Sequence, residues 1–412
     1  MSVTIKNQTT FKQQNGVFVN KNNCKTLINK GIDKNFMIDS RLKKMADTII
    51  NYSLKIQSGE KVIIESTKNC SDIVKYLIKL IAKKKAIPLV ILRETDIKKE
   101  LITNGCKEQF HLMRLQDEVL LNSADAYINI TDSDNCYDMS DVPQKKKKLY
   151  QKYYFKPIYF EVIVPRLKWI TADYPSVSSA QQFGMSTDSY EKYFFDAVNL
   201  DYEQLEKNMY NLKKILDEGK HVQIKSPFIN LSFNIDNYKS EICSGKINLP
   251  DGEIFIAPII NSANGIIEFN VPNRYQGNSF DNIWLKFKDG EVVEYTSKSN
   301  LQKLKQILES DKGNKFIGEF AIGTNPNITV PRSNILFDEK ILGSFHIALG
   351  NSHSLSNNGN KASIHWDMVS MLTKEYGGGK IIIDDKLIQE DGVFIPNELQ
   401  QLNIKKLKIR SR

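Results

Sequence analysis

The first half of the chain alternates between apolar stripes at helical spacing and short apolar runs. A stripe from Leu42 to Leu54, with Ser40 as its N-cap and Gly59 as its stop, predicts a helix. The run KVIIE that follows predicts a strand at 61–65. The same pattern predicts further helices at 71–84 and about 144–154, helical stretches near 96–121, and further strands at 87–92, 126–130 and 166–171. Strands that alternate with helices indicate a mostly parallel α/β sheet.

The pattern changes after a helical region at about 187–218, which ends at Gly219. Short alternating runs then follow, separated by Gly, Pro, Asn and Asp, at 221–224, 231–235, 254–257, 266–269 and 283–287. They predict a β-rich region with a helix at about 298–310. We therefore expect an α/β protein with three segments. These are a polar N-terminal extension at 1–36, an N-terminal α/β domain at 37–205, and a C-terminal β-rich α+β domain at 206–412 that carries the candidate chemistry.

Composition narrows the class of protein. Of the 412 residues, 41% are hydrophobic and 25% are charged, which is typical of a globular protein with a sizeable core. The five cysteines are scattered with no CxxC, a usage that suits a reducing cytosol. The sequence shows neither a signal peptide nor an apolar run of the ~20 residues that a membrane span requires. We expect a cytoplasmic protein without a membrane partner.

The net charge of +9 comes with basic runs at 83–85, 145–148 and 405–412. Such runs are compatible with nucleic-acid contact or with a solvated, lysine-rich face. The sequence contains no nucleic-acid-binding motif, and 48 acidic residues dilute the charge. We therefore expect no nucleic-acid partner.

Candidate chemistry is concentrated between residues 346 and 367. Only five histidines occur in the chain, and His346, His353 and His365 fall within twenty positions. Asp367 follows His365 by two, so both side chains would point to one face of a strand. Imidazole and carboxylate are the usual ligands of zinc, cobalt, manganese and iron. Ordinary hydrogen-bonded histidines are the alternative, and the chain has no HExxH motif.

Two glutamates lie in apolar or glycine-rich surroundings in the second half. Glu253 stands between the turn LPDG and an apolar strand, and Glu319 lies within IGEFAIG. An unpaired buried carboxylate is costly, so each is expected either to have a partner or to line a site. Each alone is compatible with an N-cap or an ion pair. Together with the histidine cluster they supply enough ligands for two metal ions.

Longer stretches of the chain resemble a known family. They are WITADYPS, AQQFGMS, SGKINLPDGE, GEFAIGTNP, ILFDEKILGSFHIALG and SIHWDM, in this order between about Met37 and Gly392. In these stretches the chain resembles the aminopeptidase T and aminopeptidase S family of dinuclear metallopeptidases, the thermophilic metalloprotease family.

The resemblance implies a site and an activity. The implied metal ligands are Glu253, Glu319, His346, the position of His353, His365 and Asp367. The implied cofactors are two divalent ions, zinc, cobalt or manganese. They would activate a water that removes N-terminal residues from short peptides, with Glu319, or else Glu253, as the general base. A homodimer that encloses a cavity is also implied.

One position departs from the family, which carries tyrosine seven residues after the histidine of HIALG, where this chain has His353. A neutral imidazole can bind a metal or donate a hydrogen bond to a developing oxyanion. The departure motivates an alternative function, a specialised amide hydrolase that tailors one modified peptide. A second alternative is a mononuclear iron ring-opening dioxygenase on a similar scaffold. The presence of both glutamates argues against it, because a one-metal site needs fewer ligands.

Overall fold

The computed structural model describes residues 39–132, 135 and 137–403. The expected extension at 1–36 and the basic run at 405–412 lie outside the described residues. Within the described part of the chain, no helix is long and apolar enough to cross a membrane.

Each strand predicted from the sequence occurs in the structure, in the predicted order, together with further strands and helices that the pattern did not predict. The strands are β1 Lys61–Ser66, β2 Ile87–Leu92, β3 Ala126–Thr131, β4 Lys168–Asp173, β5 His221–Ser226, β6 Ile229–Asn234, β7 Glu241–Cys243, β8 Asn248–Leu249, β9 Glu253–Ile256, β10 Asn264–Glu268, β11 Asn273–Tyr275, β12 Asn278–Phe280, β13 Trp284–Lys288, β14 Glu291–Thr296, β15 Ile317–Gly323, β16 Ser344–Gly350, β17 His365–Met371, β18 Lys380–Ile383, β19 Lys386–Glu390 and β20 Val393–Phe394. The α-helices are α1 Ser40–Asp47, α2 Ser71–Lys83, α3 Thr95–Asn104, α4 Lys107–Leu121, α5 Gln144–Tyr150, α6 Lys156–Ile158, α7 Val164–Arg166, α8 Val177–Gln182, α9 Thr187–Val198, α10 Tyr202–Glu218, α11 Leu301–Glu309 and α12 Ile335–Asp338.

The expected parallel sheet is confirmed. Its five strands run in the order β2-β1-β3-β4-β8, and every pairing is parallel. Val62, Ile63 and Ile64 of β1 are all buried, as a strand covered on both faces requires. Helix α2 buries Ile73 and Leu77, and the rest of its apolar stripe, against the same core.

Helix boundaries are where sequence and structure differ most. The helical stretches predicted near 96–121 are two helices, which divide where α3 ends at Gly105, whose backbone is extended. The helical region predicted at about 187–218 also contains a break that the pattern did not locate, since Asp201 caps a new helix by accepting a hydrogen bond from the Gln204 N–H. The helix predicted at 144–154 instead continues to Arg166, through π-helical turns at Gln151–Phe155 and Tyr159–Ile163.

The second half of the chain forms antiparallel sheets, as its alternating pattern predicts. One has eight strands in the order β14-β13-β10-β6-β5-β18-β19-β20, and another has five in the order β17-β16-β15-β9-β7. Phe320 on β15 packs edge to face on Phe233 of β6 at 5.1 Å between ring centroids, which joins one face of the five-stranded sheet to the larger sheet. The opposite face of the five-stranded sheet carries the polar side chains described below.

Strand β8 connects the two halves of the fold. It lies in the second half of the sequence but pairs with β4 of the parallel sheet. The chain then passes through Pro250, Asp251 and Gly252 into β9 of the antiparallel sheet. Glu253 therefore stands where the two sheets approach each other. The domain boundary at 205 stays a prediction.

Candidate metal centre

Strand register brings the candidate residues to one face of the five-stranded sheet. Glu319, Ala348 and Asp367 lie opposite one another across β15, β16 and β17. His346 is two residues from Ala348 on β16 and so points to the same face. Glu253 pairs with the last residue of β15, which places it on that face too.

The side chains converge on Nε2 of His346. This atom lies 3.3 Å from Glu319 Oε1, 3.7 Å from Glu253 Oε2 and 3.8 Å from Asp367 Oδ1. His365 adjoins the group, with its Nε2 3.1 Å from Asp367 Oδ1. Five of the six positions implied by the resemblance therefore form one cluster, although they span the chain from residue 253 to residue 367.

The backbone fixes the orientation of the His365 ring. His365 Nδ1 lies 2.7 Å from the carbonyl oxygen of Asn351, so Nδ1–H donates and Nε2 is left to face the cluster. Gly350, which precedes Asn351, has a φ of 98°, and a Cβ on it would lie 2.3 Å from the carbonyl oxygen of Ile364. Only glycine lets the two strands approach this closely.

His353 lies beside the cluster rather than within it. Its ring packs edge to face on Phe255 at 5.1 Å, and its Nδ1 accepts a hydrogen bond from the Leu355 N–H at 3.2 Å. His353 is exposed, and the partial loss of hydration on its cluster-facing side lowers its pKa, while the charges of Glu319 and His365 also act on it. In the described structure, His353 belongs to none of the close groups of ligand-type residues.

Sequence reasoning missed two charged residues of the site, Glu339 and Lys340, which directly follow α12. Glu339 groups with Glu253 and His346, with ligand atoms within 4.8 Å of one another. Lys340 is fully buried, and its Nζ lies 2.6 Å from an oxygen of Glu253 and 2.6 Å from an oxygen of Glu339. The signal in the sequence was the charged triplet in the apolar run ILFDEKIL, where burial demands partners for the charges.

The donor set fits divalent ions. Glu253 Oε2 is buried without a hydrogen-bond donor among the described residues, and Asp367 Oδ1 has only ion pairs, the shorter to His365 at 3.1 Å, so both oxygens are open to a cation. Besides the group at Glu339, a second group of ligand atoms within 4.8 Å comprises Glu319, His346 and Asp367. Imidazole nitrogen with carboxylate oxygen suits zinc, cobalt and manganese. A further group, Cys243 with Asp251 and Glu253, already receives the Lys340 ammonium.

The excess of carboxylates shifts the pKa values of the site. Burial raises the pKa of Glu253 to about 8, although Lys340 opposes the shift. Burial disfavours the charged form of His346, but its hydrogen bond to Glu319 and the nearby carboxylates prevail and raise its pKa to about 9. Burial also opposes the charge of Asp367, yet His365 holds the pKa of this carboxyl below its ordinary value. In the metal-free protein, added protons and the Lys340 ammonium group together balance the charge of the carboxylates.

A hairpin of β11 and β12 supports the strand that carries His365 and Asp367. Asn273 accepts a hydrogen bond from Trp366 Nε1 and donates one of 2.8 Å to the backbone carbonyl of Asp367. Tyr275 stacks on Trp366 at 4.7 Å between ring centroids. These contacts fix the strand on the side away from β16, so that the ligand side chains are held in place.

Comparison with known proteins places this geometry in a family. The family model described as "Thermophilic metalloprotease (M29)" matches residues 38–394. Aminopeptidase AmpS of Bacillus subtilis (strain 168) is 22% identical over 396 residues, which cover 86% of this chain and 94% of that protein. Aminopeptidase 2 of Geobacillus stearothermophilus is 34% identical over 111 residues, 26% of each chain.

A solved structure has the same fold. Wild-type AmpT from Thermus thermophilus superposes with a TM-score of 0.73 at 18% identity, covering 87% of this chain and 99% of that one. Because the family model matches most of the chain, the expected resemblance is confirmed. The protein belongs to the thermophilic metalloprotease (M29) family and is a metal-dependent peptide-bond hydrolase.

Proposed function

We propose that this protein is an aminopeptidase that removes N-terminal residues from short peptides with two divalent ions. The observation that carries the proposal is the excess of ligand atoms around His346. Four carboxylates, from Glu253, Glu319, Glu339 and Asp367, face one ammonium group and two imidazoles. A single ion cannot use all of these ligands, so the donor set favours two ions.

The reaction needs a proton acceptor beside the hydrolytic water. When bound, the ions supply a water of lowered pKa and polarise the scissile carbonyl. Glu319 accepts the proton of that water and returns it to the leaving amine. Glu253 is less suited to this work, because one of its oxygens is already held by Lys340 at 2.6 Å. Glu319 is therefore our choice of general base.

We propose that His353 does the work of the family tyrosine as a hydrogen-bond donor. Its Nδ1 accepts from the Leu355 N–H, so the ring proton is on Nε2. The lowered pKa keeps the ring neutral, and a neutral ring can donate from Nε2 to the oxyanion that develops on the scissile carbonyl. An imidazole is shorter than a phenol, so the donor would lie at a different distance from the substrate. This difference supports a narrower substrate range, and with it the specialised amide hydrolase as the second candidate function.

The test combines metal analysis with a substrate panel. Purified protein should contain two equivalents of zinc, cobalt or manganese, and should hydrolyse aminoacyl amides and dipeptides. The same substrates with an acetylated N-terminus should be poor, since the ammonium group is lost. Equal rates on free and acetylated substrates would contradict an aminopeptidase. Hydrolysis of one modified peptide alone would favour the specialised amide hydrolase.

Two further proposals concern the oligomeric state and the cellular compartment. The family resemblance supports a homodimer, which light scattering coupled to size exclusion would test through the mass in solution. A reducing compartment, the cytosol, is supported by the three free cysteines of the described residues, Cys70, Cys106 and Cys243. Localisation of a tagged chain in its own cells would test this.

A further inference from the structure

Lys340 is an unusual residue for the interior of a protein. Lysine is almost never fully buried unless it is paired, because a desolvated ammonium group is costly. Lys340 has no exposed surface, and its Nζ has three carboxylate neighbours. It lies 2.6 Å from Glu253 Oε1, 2.6 Å from Glu339 Oε1 and 3.7 Å from Asp251 Oδ1.

The backbone holds this lysine in place. The Lys340 carbonyl accepts a hydrogen bond of 2.9 Å from the Asn325 N–H, and the Lys340 N–H donates one of 3.0 Å to the Phe337 carbonyl. Asp251 is fixed independently, since its carboxylate accepts from the Gly245 and Gly252 N–H groups at 2.6 and 2.9 Å. Hydrogen bonds with the backbone therefore fix both Lys340 and the Asp251 carboxylate that its ammonium group faces.

The contact with Lys340 gives the two oxygens of the Glu253 carboxylate different roles. Oε1 is held by Lys340 at 2.6 Å, whereas Oε2 lies 3.7 Å from His346 Nε2 and has no donor among the described residues. One oxygen is thus bound to a fixed internal cation, and the other is presented to the cluster. Glu339 is held through one oxygen in the same way and is mostly buried, with 14% of its side chain exposed.

We propose that Lys340 is a positioning residue of the metal centre, which holds one oxygen each of Glu253 and Glu339 and replaces a metal cation in the metal-free protein. The inference rests on the metal centre proposed above. Without Lys340, the buried carboxylates would repel one another until ions bind. With it, the ligands are assembled before the ions arrive, and the second oxygen of each carboxylate is left for the ions.

The test is whether the effect of Lys340→Met depends on metal. Melting temperatures of wild type and variant are measured after chelation and after addition of zinc or cobalt. Breaking a buried ion pair should lower the melting temperature of the metal-free variant by roughly 5–10 °C. In the metal-loaded pair the loss should be less than half as large, because the ions neutralise the same carboxylates. An equal loss in both states would mean that Lys340 only packs, and would overturn the proposal.

A second variant covers the case in which Lys340→Met does not fold. Lys340→Met combined with Glu339→Gln removes a carboxylate together with the ammonium group, so the double variant should be more stable without metal than Lys340→Met alone. Failure of the double variant to fold, with or without ions, would overturn the proposal.

Lys213→Met is the matched control. It removes a half-buried lysine 3.3 Å from Asp217, which is not a candidate ligand, and its loss should be the same with and without metal. A different result would reject the metal centre itself, namely wild type that neither binds ions nor gains stability from them. Wild type that binds ions, with an equal loss for Lys340→Met in both states, would reject only the role of Lys340.

Discussion

Two clusters of charged residues, a partly buried one in the first half of the molecule and a buried one in the second, differ in how their carboxylates are satisfied. In the first half, Arg93 reaches Glu65 Oε2 at 3.1 Å and Asp117 Oδ2 at 2.6 Å, and the Tyr154 hydroxyl donates to the same Asp117 oxygen. Neither carboxylate has a buried oxygen without a partner in the described structure. In the second half, Glu253 Oε2 has no donor, and Asp367 Oδ1 has only ion pairs, the shorter to His365 at 3.1 Å.

The difference separates a structural cluster from a candidate site. The first cluster has its carboxylates matched, because a single guanidinium group bridges the two of them, although Arg93 Nε itself makes only the ion pair to Glu65 and no aligned hydrogen bond. The second is open, since five carboxylates, Asp251 included, share one ammonium group and two imidazoles. Burial and charge alone would have selected both clusters. The unsatisfied oxygens are what distinguish the site, because a fold retains them only when something else binds there.

Removal of metal should give the largest effect. Exhaustive chelation should abolish hydrolysis of aminoacyl amides, and zinc, cobalt or manganese should restore it, because the water is activated only when ions are bound. Glu65→Gln, in the first cluster, should respond to chelation like wild type. Activity that persists in protein shown by elemental analysis to be free of metal would place the chemistry elsewhere.

Loss of the proton acceptor should give the second-largest effect on hydrolysis. Glu319→Gln should lower kcat by roughly 10²–10⁴-fold, since the amide cannot take a proton from water. Glu65→Gln should leave kcat unchanged and lower the free energy of unfolding by about 1–3 kcal/mol, because it weakens a charged hydrogen bond. Steady-state kinetics and denaturant unfolding of the two variants measure these outcomes. A Glu319→Gln enzyme with wild-type kcat would remove Glu319 as the base.

A smaller effect is expected at His353. His353→Ala should lower kcat by about 10²-fold through the loss of one transition-state hydrogen bond, and His353→Tyr should retain or improve turnover of simple dipeptides. Metal content should not change in either variant, because His353 lies outside the close groups of ligand-type residues. If His353→Ala matched wild type in both rate and metal content, His353 would not belong to the site.

The smallest effect is a pH dependence of stability. In the metal-free protein Glu253 keeps its proton up to about pH 8 and His346 up to about pH 9. The unfolded chain releases these protons at lower pH, so the folded state binds more protons and its stability falls as pH rises between the unfolded and folded values. Metal binding requires the deprotonated ligands, so affinity rises over the same interval.

Thermal melts across this interval check the prediction. The difference in melting temperature between loaded and metal-free protein should grow with pH, and metal binding should release protons, measured by calorimetry in buffers of different ionisation enthalpy. Glu65→Gln should show the same growth, since the first cluster takes no part. A constant difference across the interval would show that the ligands do not titrate with metal binding.

Much of the fold and part of the site were accessible from sequence. Period-two alternation placed His365 and Asp367 on one face of a strand, and the structure has both on β17. The alternation of helices with strands predicted the parallel sheet. Helix ends were less accessible, because caps such as Asp201 interrupt an apolar stripe without changing its spacing.

The sequence by itself determined which elements form, because hydrophobic periodicity is a local property of the chain. It also determined the types of candidate ligand, since few histidines and glutamates lie in apolar surroundings. Only the tertiary structure decided which of them meet. Register between β9, β15 and β16 brings Glu253 and Glu319 to His346, and a buried lysine after α12 completes the cluster. Register and burial depend on packing between segments far apart in the chain, so local pattern does not encode them.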